Sequence, residues 1–146
     1  MEAIIFCGIQ ASGKSSFYRE RFFHSHLRIS LDLLRTRNKE RQLLETCIRL
    51  QQRFVVDNTN PTKEDRARYI GPAKAGRFQV IGYFFQTGVE EALLRNSTRT
   101  GKEQVPVAGV RGTYKKLEAP VYEEGFDALY SVAIADGQFL VQTLEP

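Results

Sequence analysis

No apolar run in this 146-residue chain approaches the ~20 residues that a bilayer-spanning helix needs. A helical membrane span is therefore not expected. Cysteine is scarce: Cys7 and Cys47 are the two present, without a close partner or metal-type spacing. The expectation is a pair of reduced, buried thiols. Histidine is equally scarce, and His24 and His26 fit a helix end or the surface better than a ligand set. No Cys/His cluster points to a metal. The start, Met1-Glu2-Ala3-Ile4-Ile5, lacks the basic head and small-residue cleavage site of a secretory signal, which predicts a cytoplasmic protein. No linker, repeat or low-complexity stretch divides the chain, so one domain over 1–146 is expected. The guanine-reading signature Asn-Lys-x-Asp is also missing, which counts against a switch GTPase.

What is present is ordinary in bulk and specific in detail. Apolar residues make up 42% and charged residues 26%, with a net charge of +4, compatible with nucleic acid but equally with a solvated surface. Arginine carries much of the positive charge, and its planar fork suits phosphate.

The specific signal is Gly8-Ile9-Gln10-Ala11-Ser12-Gly13-Lys14-Ser15, a complete G-x-x-x-x-G-K-S phosphate loop. A buried strand, Ala3-Ile4-Ile5-Phe6-Cys7, leads in, and a helix-like stretch from Ser15 to Phe23 leads out. Glycines at both ends let successive N–H groups converge on one anion, reinforced by the positive end of the following helix. Lys14 is placed to reach the β and γ phosphates, and the Ser15 hydroxyl to join a Mg²⁺ shell. With Ser16, which follows, the loop residues form the predicted ATP site.

Strand-like and helix-like segments alternate along the rest of the chain. Short strands are read at His26–Ser30, Arg53–Asp57, Phe78–Phe85 and Ala128–Ala135, and Asp136-Gly137 reads as a hairpin turn into Gln138–Leu144. A helical stripe of Leu43, Leu44, Cys47 and Ile48 runs within Leu33–Arg53. Thr62 caps a helix to Ala75 that Gly76 closes. Gly88 opens another, Val89 to about Thr100, followed by a mobile loop over 101–112 and a short helix near Thr113–Leu117. Phe84 and Phe85 read as core. Apolar strands separated by helices imply a mainly parallel, five-stranded sheet covered on both faces, an α/β three-layer sandwich with a lid over about 95–116.

Ligands of such sheets bind at the carboxyl ends of the strands. Asp32, just past strand two, is positioned to take a proton from an acceptor hydroxyl, or else to cap a helix. Arg35, one turn on along the same helical face, is a candidate clamp for an anionic acceptor. Asp57 has three readings: a water-mediated Mg²⁺ contact, a hold on Arg35, or an Asx turn toward Thr59. Arg95, Arg99 and Lys102 are candidate lid cations. Arg95 and Arg99 are expected on one helical face, with Arg99 nearer the loop.

Beyond the phosphate loop, the chain resembles the kinase module of the polynucleotide 5′-hydroxyl kinase family and the stand-alone bacterial kinases related to it. The resemblance covers nearly the whole chain. It is carried by Val56-Asp57-Asn58-Thr59-Asn60-Pro61 with Arg66-Ala67-Arg68-Tyr69, by Val105-Pro106, Glu118-Ala119-Pro120 and Glu123-Glu124-Gly125-Phe126, and by Arg95-Asn96 with Arg99. It implies a P-loop kinase fold with Asp32 as general base, Arg35 and Asp57 at the acceptor, and Arg99 on the donor phosphates. One departure is Ser30-Leu31-Asp32, where the family often has Asn-Arg-Asp. No phosphatase or ligase domain is recognised beside it.

The expected activity is transfer of the γ-phosphoryl group of ATP to a hydroxyl, with Mg²⁺ as cofactor. The 5′-OH of a nucleic acid is the favoured acceptor, and no obligate protein partner is inferred. A small-metabolite kinase of the same fold and an ATP-binding adaptor without transfer are the alternatives. Arg37, Lys39, Arg66 and Arg68 are candidates for a basic path leading from Asp32.

Overall fold

A computed structural model describes residues 1–101 and 104–146. Six strands form one sheet: β1 (Glu2–Cys7), β2 (Leu27–Ile29), β3 (Phe54–Val56), β4 (Gln79–Phe85), β5 (Ala128–Ala135) and β6 (Gln138–Thr143), in the order β2-β3-β1-β4-β5-β6. The first five are parallel, as expected, with Ile4 opposite both Val55 and Ile81. The Asp136-Gly137 turn, both residues at positive φ, returns the chain so that β6 pairs antiparallel with β5 as a sixth strand.

Alternation along β1 divides the core in two, because successive side chains of a strand face opposite ways. Ala3 and Ile5 point to a layer containing Leu44, Cys47, Tyr69, Ile70 and Ala73. These come from α3 (Arg37–Leu50) and α4 (Lys63–Ala75). Ile4 and Phe6 point to the opposite layer, where α1 (Lys14–Arg21) brings Phe17 and Tyr18. Phe6, Phe17, Tyr83 and Phe85 meet there edge-on or tilted, with ring centroids 5.0 to 6.0 Å apart, geometries that aromatic quadrupoles favour. Phe85 is core as expected; both cysteines are buried and free.

Three sequence expectations change. The helical stretch from Leu33 to Arg53 is two helices, α2 (Leu31–Leu34) and α3, broken where Arg35 takes φ +74° and Thr36 caps α3 through Lys39 N–H. The helix after Gly88 stops early, so α5 is Val89–Ser97. The span 101–112 is not all loop: α6 (Val107–Lys116) begins immediately after Pro106, and absorbs the short helix expected near Thr113–Leu117. The Thr62 cap and the Gly76 stop of α4 are as read, and Asp65 completes a reciprocal capping box with Thr62.

Candidate functional site

The phosphate loop lies between β1 and α1 at the carboxyl edge of the sheet. Gly8 has no room for a side chain: a Cβ there would sit 2.8 Å from the Phe85 Cβ. Gly13, at φ +96°, turns the loop into α1. Ala11 is also left-handed, at φ +61°, a conformation that glycine takes freely and a residue with a Cβ takes at a steric cost. The loop is tied to the segment after β3, since Gly8 N–H donates to the Thr59 carbonyl at 2.9 Å and Asn60 Nδ2 donates to the Phe6 carbonyl at 2.8 Å.

Lys14 is buried inside this turn and donates to the carbonyls of Ile9 (2.7 Å) and Gly8 (3.1 Å) and to Ser12 Oγ (3.4 Å). Burial lowers its pKa to about 8, opposed by Asp57, with Arg99 lowering and Asp32 raising it further. Three sequence-selected charges, Asp32, Asp57 and Arg99, are thus close enough to act on the loop lysine. Ser16, on the exposed start of α1, accepts from Arg19 Nη2 at 3.4 Å.

Asp57 is buried at the end of β3, and its Oδ2 accepts from Ser15 Oγ at 3.0 Å and from Arg28 Nε at 2.8 Å. Arg28 Nη2 also donates to Ser15 Oγ at 3.2 Å. The Asx turn toward Thr59 is therefore not formed, and the arginine that Asp57 holds is Arg28 of β2 rather than Arg35. Arg28 was not selected from the sequence; a charge in the middle of a three-residue strand was the available signal. Ser15 Oγ and Asp57 Oδ2 make a pair of hard oxygens at the foot of the loop. Such a pair suits Mg²⁺, which takes one or two protein oxygens beside substrate phosphates and water.

Asp32 sits exposed in the first turn of α2, where Ser30 rather than Asp32 is the N-cap residue. Asp32 has no hydrogen-bond or ion-pair partner among the described residues. Arg35 lies beyond α2, exposed, so the two do not share a helical face. A buried network holds this segment. Leu31 N–H donates to Asn58 Oδ1 at 2.9 Å, and Asn58 Nδ2 donates to Glu40 Oε2 at 2.8 Å. Tyr69 OH and Arg37 Nη1 donate to the same Glu40 carboxylate at 3.0 and 2.8 Å. Sequence reasoning missed Glu40, a carboxylate inside an otherwise exposed, charged helical turn.

α5 and α6 cover the other side of the loop. Ile9 and Ala11 pack on Ala92 and Val110, and Gln10 Nε2 donates to Thr113 Oγ1 at 3.0 Å. Arg95 ion-pairs with Glu91 at 2.7 Å, while its Nη1 is buried without a hydrogen-bond partner. Arg99 lies past the end of α5, its N–H bonded to the Asn96 carbonyl, so it does not continue the Arg95 face. Lys102 lies outside the described residues. Of the basic-path candidates, Arg66 is withdrawn: it is fully buried, paired with Glu124 at 2.8 Å. His26 is buried rather than at the surface, bonded to Glu2 and Ser25.

No protein-family model matches the chain. Over 129 residues it is 26% identical to a Schizosaccharomyces pombe protein named bifunctional polynucleotide phosphatase/kinase, covering 86% of this chain and 32% of that one. The chain thus spans about a third of the length of this curated relative. Among solved structures, Chaetomium thermophilum Kti12 in complex with ADP-AlF3 superposes with a TM-score of 0.72 at 19% identity, over 92% of this chain and 90% of that one. A gluconokinase from Sinorhizobium meliloti superposes with a TM-score of 0.66 at 19% identity, over 92% and 83%. The fold is that of the P-loop kinases, and the resemblance to the polynucleotide kinase module extends over most of the chain. Among the described residues no helix is long and apolar enough to cross a membrane.

Proposed function

We propose that this chain is a kinase that transfers the γ-phosphoryl group of ATP to the 5′-hydroxyl of a polynucleotide. The observation that carries the transfer step is Asp32: an exposed carboxylate in the first turn of α2, just past β2, without a partner among the described residues and within electrostatic reach of the phosphate-loop lysine. An adaptor that only binds nucleotide has no use for such a group. The polynucleotide acceptor is supported by the curated relative, whose likeness spans 86% of this chain.

In this reading Gly8 to Ser16 cradle the β and γ phosphates, Lys14 turns from the loop carbonyls to the phosphate oxygens, and Arg95 and Arg99 approach from the lid. Ser15 and Asp57 would hold Mg²⁺, which when bound neutralises charge on the phosphates. Asp32 accepts the proton of the attacking hydroxyl as the oxygen aligns with the γ phosphorus. Arg35 faces the anionic part of the acceptor.

The test is γ-labelled ATP offered with 5′-hydroxyl oligonucleotides and with a panel of sugars and other small alcohols. Label in the oligonucleotide is expected; label only in a small molecule overturns the acceptor, and none anywhere with ATP bound favours the adaptor. Asp32→Ala is expected to lower kcat by about 100-fold or more while the ATP affinity holds. A retained kcat would remove Asp32 as the base.

A further inference from the structure

We propose that the cleft between α3 and α4 is a second binding site, a trough for the sugar-phosphate strand of the acceptor downstream of its reacting 5′ end. This rests on the polynucleotide reading and deepens it. The cleft has a volume of about 570 Å³, and Arg37, Arg41 and Arg68 stand around a floor of Leu44, Tyr69 and Pro72. Guanidinium groups beside the exposed Pro72 ring, with Leu44 and Tyr69 buried beneath it, suit the phosphates of such a strand.

Its position follows from the hydrogen-bond network. Leu31, next to Asp32, donates to Asn58, and Asn58 donates onward to the Tyr69 hydroxyl at 3.2 Å. Tyr69 is part of the cleft floor, so two hydrogen bonds separate the backbone beside the candidate base from the cleft. The α3 side of the cleft begins at Arg37, two residues past Arg35, where the positive end of α3 also favours an anion.

The two carboxylates in the lining offset the charges of Arg37 and Arg41, and Arg68 supplies the remaining positive charge. Glu40 is buried and its oxygens are already occupied by Arg37, Asn58 and Tyr69. Glu45 meets Arg41 at 3.3 Å in an exposed pair, which costs little to open. Arg68 is exposed and has no ion-pair partner among the described residues. Two positions earlier on the same helix, Arg66 is buried against Glu124. The outward guanidinium at 68 is the one left for a ligand.

The experiment is fluorescence anisotropy of a labelled 5′-hydroxyl single strand against the whole chain and against an Arg41→Ala/Arg68→Ala double variant. An Arg49→Ala/Arg53→Ala variant, which removes equal charge near the end of α3 and just before β3, serves as control, and thermal melts verify folding. The cleft variant is expected to bind about tenfold more weakly than wild type, with the control within twofold. Its slope of log affinity against log salt is expected to flatten by about 1.4, the value for two lost phosphate contacts on a single strand. Equal weakening in both variants, no weakening in either, or no binding by wild type overturns the trough. Label transfer is scored separately. Transfer to the strand with cleft-independent binding leaves the kinase reading standing, and cleft-dependent binding without transfer leaves the trough standing.

Discussion

Lys14 is held by its own loop at the expense of its charge. Its pKa is lowered to about 8 mainly by burial, whereas in an unfolded chain it stays near the ordinary lysine value of ~10.4. Below about pH 8 both states carry the proton and the folded state bears the full cost of the buried charge. Between the folded and unfolded values the unfolded state holds more protons, so stability rises with pH across that window. Against a Lys14→Met variant, the stability of the wild type is expected to improve by up to about 3 kcal/mol from pH 8 to 10.5. Urea melts of both proteins over that range check it, and parallel pH profiles would show that the lysine titrates normally. Asp57 shows how one residue is read correctly in place and incorrectly in partner. Its position at the end of β3 was legible from an apolar triplet closing on an acid. Arg28 as its partner was not, because the pairing joins neighbouring strands and leaves no trace in local spacing.

At the scale of elements, capping chemistry explains both what was legible and what was not. Thr62 and Asp65 satisfy each other across the first turn of α4, a pattern visible in sequence as Thr-x-x-Asp. Thr62→Ala is expected to cost about 1 kcal/mol, lowering the thermal midpoint by a few degrees without changing nucleotide affinity. Calorimetry together with an ATP titration would verify both parts. Strand β5 begins and ends where the sequence placed it, since Asp136-Gly137 marks its turn. The α2–α3 break was invisible because the left-handed residue is Arg35, not a glycine. In α6 the reverse holds: Gly109 and Gly112 read as loop, yet packing of Val110 against Ile9 and Ala92 stabilises the helix. Tertiary contact there overrides propensity.

Among the described residues one ion pair has both side chains buried, and it ties α4 to the turn before β5. Arg66 reaches from α4 to Glu124 in a bidentate contact of 2.8 and 3.0 Å, and also donates to the Asn60 carbonyl and Cys7 Sγ. Removing one partner leaves the other charge buried alone, so Arg66→Met is expected to destabilise the fold by about 3–5 kcal/mol. Replacing both, as Arg66→Met with Glu124→Leu, is expected to recover most of that loss. Denaturant melts of the single and double variants make the comparison, and additive losses would show that the pair is not coupled.

The stitches from Gly8 to Thr59 and from Asn60 to Phe6 have a mechanical meaning. They fasten the phosphate loop to the same stretch of chain, 57–60, that braces the segment bearing Asp32. On the proposed reading, the donor cradle and the carboxylate that serves as base are therefore braced by the same stretch of chain. On that reading, their separation is set when the protein folds rather than when substrates arrive.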